Sequence, residues 1–153
     1  MTSTSLALYD EGGVIPIAMS MNFSADDFKE KIARGFSAMA EKDGPYLIHC
    51  TEGKDRTGFM CMLIEALAGA TYQEIVDDYM ITYDNYYEIS EVKDKVKYDL
   101  ILEKNLIPMM YTVVGDSSLD LKTIDLSSYA RAFLIDVSMT EAQVDALLAR
   151  ITE

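Results

Sequence analysis

The apolar positions of this chain change period along its length, and those changes divide it into elements. Two short apolar runs, Leu6 to Tyr9 and Val14 to Ile17, flank the turn-like Asp10-Glu11-Gly12-Gly13 and read as short strands or extended loop. From Ser24 the period becomes helical. Phe28, Ile32, Phe36 and Met39 share one face as far as Lys42-Asp43-Gly44, and Ser24 with Asp27 makes a capping-box-like start, so a helix is expected over about 24–42. Pro45 to Cys50 is again a short apolar run, expected as a strand. After a glycine-containing turn, Phe59, Met60, Leu63, Ile64 and Leu67 recur at helical spacing up to Gly69, which predicts a buried helix. Thr71 with Glu74 and Thr140 with Gln143 are capping boxes, the second opening a terminal helix whose apolar face is Val144, Leu147, Leu148 and Ile151. Between the two boxes, helices are expected over about 72–88, 91–105 and 125–136.

Helices flanking a buried strand imply an α/β layer arrangement, with a small central sheet between helices and a helical C-terminal half. The chain has 153 residues, half of them hydrophobic, and only three prolines, with no internal repeat, so one domain over 1–153 is expected. Three or four plausible strands would make a poorly covered sheet. The expectation is therefore that an N-terminal portion of the domain is missing, and that an N-terminal segment or a second copy completes the sheet.

The formal net charge of −13 disfavours nucleic acid and anionic membranes as partners. The two cysteines, Cys50 and Cys61, are too few for a disulfide framework, and no His/Cys cluster offers tetrahedral metal ligands, so neither a metal nor another cofactor is expected. No run reaches the roughly 18 apolar residues of a membrane span. The start Met1-Thr2-Ser3-Thr4-Ser5 has no signal-peptide pattern. A cytoplasmic location is favoured, with secretion open if an N-terminal region is missing.

Chemistry concentrates in His49-Cys50-Thr51-Glu52-Gly53-Lys54-Asp55-Arg56-Thr57-Gly58. A cysteine between a strand end and a helix start feels backbone NH dipoles, which can lower a thiol pKa from about 8.5 to roughly 3.5–7.5. Six residues on, Arg56 can return a planar guanidinium to two phosphate oxygens. Gly53 permits the curvature that turns the NH groups of Thr51, Glu52, Gly53, Lys54, Asp55 and Arg56 inward around an anion, and Gly58 lets the helix start close beneath. The Thr57 hydroxyl is placed to hydrogen-bond the sulfur. An acidic chain can still bind an anion there, because screening over about 8 Å lets local groups outweigh distant carboxylates.

This segment resembles the signature of the cysteine-dependent protein tyrosine phosphatase superfamily: Cys, five residues, Arg, then Ser or Thr, usually after His. More closely, it is similar to the bacterial tyrosine/serine phosphatase family with a Gly-Lys-Asp-Arg-Thr-Gly loop, some members of which hydrolyse phosphoinositides. The resemblance extends weakly through Tyr72 to Thr82 and from Ala130 to Ile151. It implies a phosphatase working through a cysteinyl-phosphate, with phosphotyrosine or phosphoserine proteins or phosphoinositides as substrates. In that superfamily an upstream aspartate protonates the leaving group. Asp10 is the loop carboxylate at a comparable distance, and Asp55, where the similar family also has aspartate, is the other candidate and the preferred one.

Blander readings apply elsewhere. His49, the single histidine, is read as ordering the loop backbone; Cys61 as inert packing; Tyr79, Tyr83 and Tyr87, four residues apart, as a packed aromatic stripe. Lys54 either raises the local potential or meets a second phosphate. The alternatives to a working phosphatase are a phosphate-binding pseudophosphatase module with little turnover and a sulfur-transfer enzyme, the latter disfavoured by the arginine.

Overall fold

The computed structural model describes residues 11–152 together with Ala7 and Tyr9. Its elements are helices: α1 (Phe28–Glu41), α2 (Asp55–Leu67), α3 (Tyr72–Tyr87), α4 (Lys95–Ile101), a π-helical turn (Leu102–Leu106), α5 (Ile107–Val114), α6 (Leu126–Asp136) and α7 (Glu141–Thr152). There is no strand among the described residues, which overturns the expected α/β arrangement with a small central sheet. The reason is the lack of partners. Residues 45–50 run without helix toward the loop, and among the described residues no backbone hydrogen bond joins them to another segment. The Val14–Ile17 run supplies no ladder either; α1 side chains bind the backbone there, Arg34 Nη2 donating to the Pro16 carbonyl and Lys31 Nζ to that of Ala18, just beyond the run, at 3.0 Å. In the first apolar run, Ala7 and Tyr9 are helical while Leu6 and Leu8 lie outside the described residues.

Helix α2 is the hub. Phe59, Met60, Met62, Leu63, Ala66 and Leu67 are all buried, so apolar contact surrounds the helix on most sides, as its nearly continuous hydrophobic sequence requires. It packs against α6 and α3 and touches α5, while α1 packs against α7. Phe59 contacts the rings of Phe23, Phe28 and Phe133 at centroid distances of 5.3, 5.6 and 6.3 Å, which joins α1, α2 and α6 in one apolar cluster.

Both predicted capping boxes form. At α3 the Glu74 amide donates to Thr71 Oγ1 at 3.3 Å, and the Thr71 amide to Glu74 Oε2 at 2.8 Å. At α7 the Gln143 amide donates to Thr140 Oγ1 at 3.2 Å, and the Thr140 amide to Gln143 Oε1 at 3.0 Å. The expected start at Ser24 does not form. The Ser24 amide is taken by Asn22 Oδ1 at 3.1 Å, a local turn that competes with helix, and α1 begins at Phe28. The helix expected over 91–105 instead starts at Lys95 and runs on through the π turn into α5. Pro108 sits in the first turn of α5, where its ring would crowd the carbonyl four residues back; the wider turn, closed by the Ile107 amide on the Leu102 carbonyl, precedes it.

Two tethers place the approach to the loop. Arg150 of α7 pairs with Asp43 and donates through Nε to the Ala40 carbonyl at 2.9 Å. Tyr46 donates its hydroxyl toward the α1 C-terminus, where the Met39 carbonyl is 2.8 Å away. The chain thus enters residues 47–50 from a fixed point on α1. No helix among the described residues is long and apolar enough to cross a membrane.

Candidate active site

The sequence places one bend after another between residues 51 and 54, and α2 begins at Asp55, so Cys50 stands ahead of a helix N-terminus. Gly53 adopts φ +75°, the left-handed region that favours glycine, and its amide donates to the Cys50 sulfur at 3.2 Å. Burial pushes the Cys50 thiol up, but the Thr57 hydroxyl, the Thr57 amide and the amides of Glu52 and Gly53 outweigh it. The net result is a thiol lowered from an ordinary 9.0 to about 6. Cys61, in the second turn of α2, is opposite in character: burial, with the charges of Glu65 and Asp78, pushes it up to about 11.

The Thr57 hydroxyl is buried and has no partner at full hydrogen-bond geometry, although it lies close enough to the sulfur to help lower its pKa. Arg56 reaches back over the loop, and its Nη2 donates to Thr51 Oγ1 at 2.8 Å. Lys54 pairs with Glu52 at 2.8 Å, and this raises the ammonium pKa against a small opposing effect of burial.

Gly58 has a structural reason beyond loop curvature. A Cβ there would lie 2.6 Å from Tyr79 Cε2, so only glycine lets α2 start this close to α3. Asp55, the first residue of α2, is near enough for its charge to raise the pKa of both Lys54 and Tyr79. The structure therefore brings Cys50, Thr51, Glu52, Gly53, Lys54, Asp55, Arg56 and Thr57 together on one loop. Asp10 lies outside the described residues. His49 is exposed and, among the described residues, makes no hydrogen bond to the loop, contrary to the ordering role expected of it.

One feature escaped the sequence reading. A cleft of about 110 Å³ runs between α2 and α3, lined by Gly53, Lys54 and Thr57 at the loop and by Cys61, Glu65 and Asp78 further down; Cys50 and Arg56 lie outside it. Burial, then a hydrogen bond and charge repulsion from Asp78, push the Glu65 carboxyl up to about 8. The available signal was Glu65 itself, a lone carboxylate inside the apolar run from Phe59 to Leu67. Among the described residues no group of three or more His, Cys, Asp or Glu side chains is placed to hold a metal ion.

A loop at a helix start, with a lowered thiol and an arginine on the same turn, is a candidate anion site. Residues 16–153 match the profile of the tyrosine phosphatase family, and the chain belongs to that family. It is 42% identical over 62 residues to a tyrosine-protein phosphatase of Nostoc commune, a stretch covering 40% of this chain and 20% of that protein. A protein provisionally named tyrosine-protein phosphatase from Cupriavidus necator is 40% identical over 53 residues, covering 35% of this chain and 19% of the relative. The matched stretches thus span about a fifth of the relatives' length. No solved structure matches the chain.

The Glu65 carboxyl makes stability depend on pH. Its pKa is about 8 in the folded chain against an ordinary 4.5, so between those values the folded state holds the extra proton and stability falls as pH rises. Glu65→Gln removes that slope. Chemical denaturation at pH 5 and pH 8 should show the variant gaining relative to the parent at the higher pH; a constant difference at both would show Glu65 ionised as usual.

Proposed function

We propose that the chain hydrolyses phosphomonoesters through a cysteinyl-phosphate, with protein phosphotyrosine as the first substrate class and phosphoserine or phosphoinositide as further ones. The observation that carries this reading is the Cys50 thiol, lowered to about 6 by the donors around it at the start of α2. Family membership and the names of the relatives support it.

In the first step the Cys50 thiolate forms an S–P bond as the P–O bond to the leaving group breaks, and the departing oxygen takes a proton from Asp55. Arg56 and the loop amides hold the equatorial oxygens, on which charge accumulates. In the second step water attacks phosphorus, the S–P bond breaks to regenerate the thiolate, and the Asp55 carboxylate takes the proton from water. Thr57 eases the sulfur's departure by donating to it as charge returns. No step needs a group beyond substrate and water.

Iodoacetamide labelling across pH should give Cys50 a midpoint near 6 and leave Cys61 unreactive until far higher pH. Cys50→Ser should abolish turnover of an aryl phosphate while retaining phosphate binding. Equal labelling profiles for the two cysteines would refute the activated-thiolate reading.

The acid is tested with leaving groups of different quality. Asp55→Asn should lower turnover of a poor leaving group by about 10²-fold or more and affect an activated aryl phosphate far less. If Asp10→Asn shows that selective loss and Asp55→Asn does not, the acid comes from the upstream segment.

We also propose that a second copy, or an N-terminal segment outside the described residues, pairs along residues 45–50, where Leu47 is 86% exposed and the backbone has no partner among the described residues. Hydrogen exchange should show slow amides at 46–50 only in the associated or extended form, with Leu47→Lys weakening the association. Fast exchange there in every form would dismiss the idea.

A further inference from the structure

Lys54 is held on two sides. Glu52 takes its ammonium at 2.8 Å, and the ring of Tyr87, at the last turn of α3, lies beneath it with the centroid 5.5 Å from Nζ. Glu52 is exposed and would draw the ammonium outward, so the aromatic face is what keeps Lys54 over the helix side of the loop. Its side chain is only 23% exposed as a result.

The Tyr87 ring, 49% exposed, is the outer member of a stack. Tyr79, Tyr83 and Tyr87 stand one above the other with centroids 5.6 and 5.9 Å apart. Asn105 Nδ2, from the π-helical turn, donates to the Tyr83 hydroxyl at 3.0 Å, and the Tyr79 and Tyr83 hydroxyls share a hydrogen bond at 3.4 Å. At the foot of the stack Tyr79 presses on Gly58. The stack therefore touches the loop twice, under its helical end through Gly58 and over its rim through Lys54.

We propose that Tyr87 is a positioning residue that holds the Lys54 ammonium at the rim of the phosphate loop, with the stack of Tyr79, Tyr83 and Asn105 fixing its ring. The role requires the ring face and not the hydroxyl. It deepens the phosphatase reading and rests on it as far as the bound anion is concerned, while the placement of Lys54 stands independently.

The test uses the whole chain, with lysines 13C-labelled at Cε, and inorganic phosphate as the probe. In the parent and in Tyr87→Phe, the Lys54 Hε protons should lie upfield of the other lysines because they sit over a ring face; in Tyr87→Leu that shift should vanish. Phosphate affinity should fall about two- to fivefold in Tyr87→Leu and be restored in Tyr87→Phe. In a Lys54→Met background the Tyr87→Leu change should cost nothing further, since the two residues act as one unit. A Lys54 resonance at its ordinary position in the parent overturns the proposal. So does a Tyr87→Leu loss that persists without Lys54, or a Tyr87→Phe variant as weak as Tyr87→Leu. A parent with the shifted Lys54 resonance but no phosphate binding overturns the phosphate-loop reading and leaves the placement of Lys54 in force.

Discussion

The site depends on how closely α2 approaches α3 at its first turn. Gly58 lies directly against the Tyr79 ring, and one methyl group at that position would push the two helices apart. Because Thr57, Arg56 and Lys54 precede Gly58 on the same turn, their directions follow from that contact. Burial of α2 on most sides then prevents it from sliding or rotating, so the dipoles at its N-terminus point at a fixed place. A loop whose amides must converge on one anion needs such a rigid base, since anion binding cannot repay the ordering of a mobile loop.

The electrostatics of the site are built mostly from dipoles. In a chain carrying a net charge of −13, the thiol is lowered chiefly by a hydroxyl and three amides. Dipoles act over short distances and leave the surface charge untouched, which lets an acidic protein keep a local preference for anions. Lys54 adds a cation at the loop rim whose charge its partner Glu52 partly offsets. The two cysteines show how decisive surroundings are: the same side chain, eleven residues apart, is pushed in opposite directions by donors in one place and by apolar burial beside carboxylates in the other.

Within the chain, residues 16–153 carry the family relationship, and the match to the two relatives covers about a fifth of each. The helical body supplies the loop, the helix behind it and the buttress of aromatic rings.

The amino-acid sequence alone determined the local chemistry: the spacing of Cys50, Arg56 and Thr57, the positive-φ requirement at Gly53, the buried face of α2, and the capping boxes at Thr71 and Thr140. Each of these is set by residues within a few positions of one another, where spacing and backbone preference suffice. Tertiary structure decided what required distant partners. Residues 45–50 have the composition of a strand but no ladder among the described residues, because hydrogen bonding between strands is a property of two segments, and no backbone hydrogen bond joins this one to another. Likewise the stripe of Tyr79, Tyr83 and Tyr87 reads as packing by period, yet its last ring meets Lys54 and its middle hydroxyl meets Asn105 only because α2, α3 and the π turn converge. Contacts between elements follow from packing geometry, which no period within one element encodes.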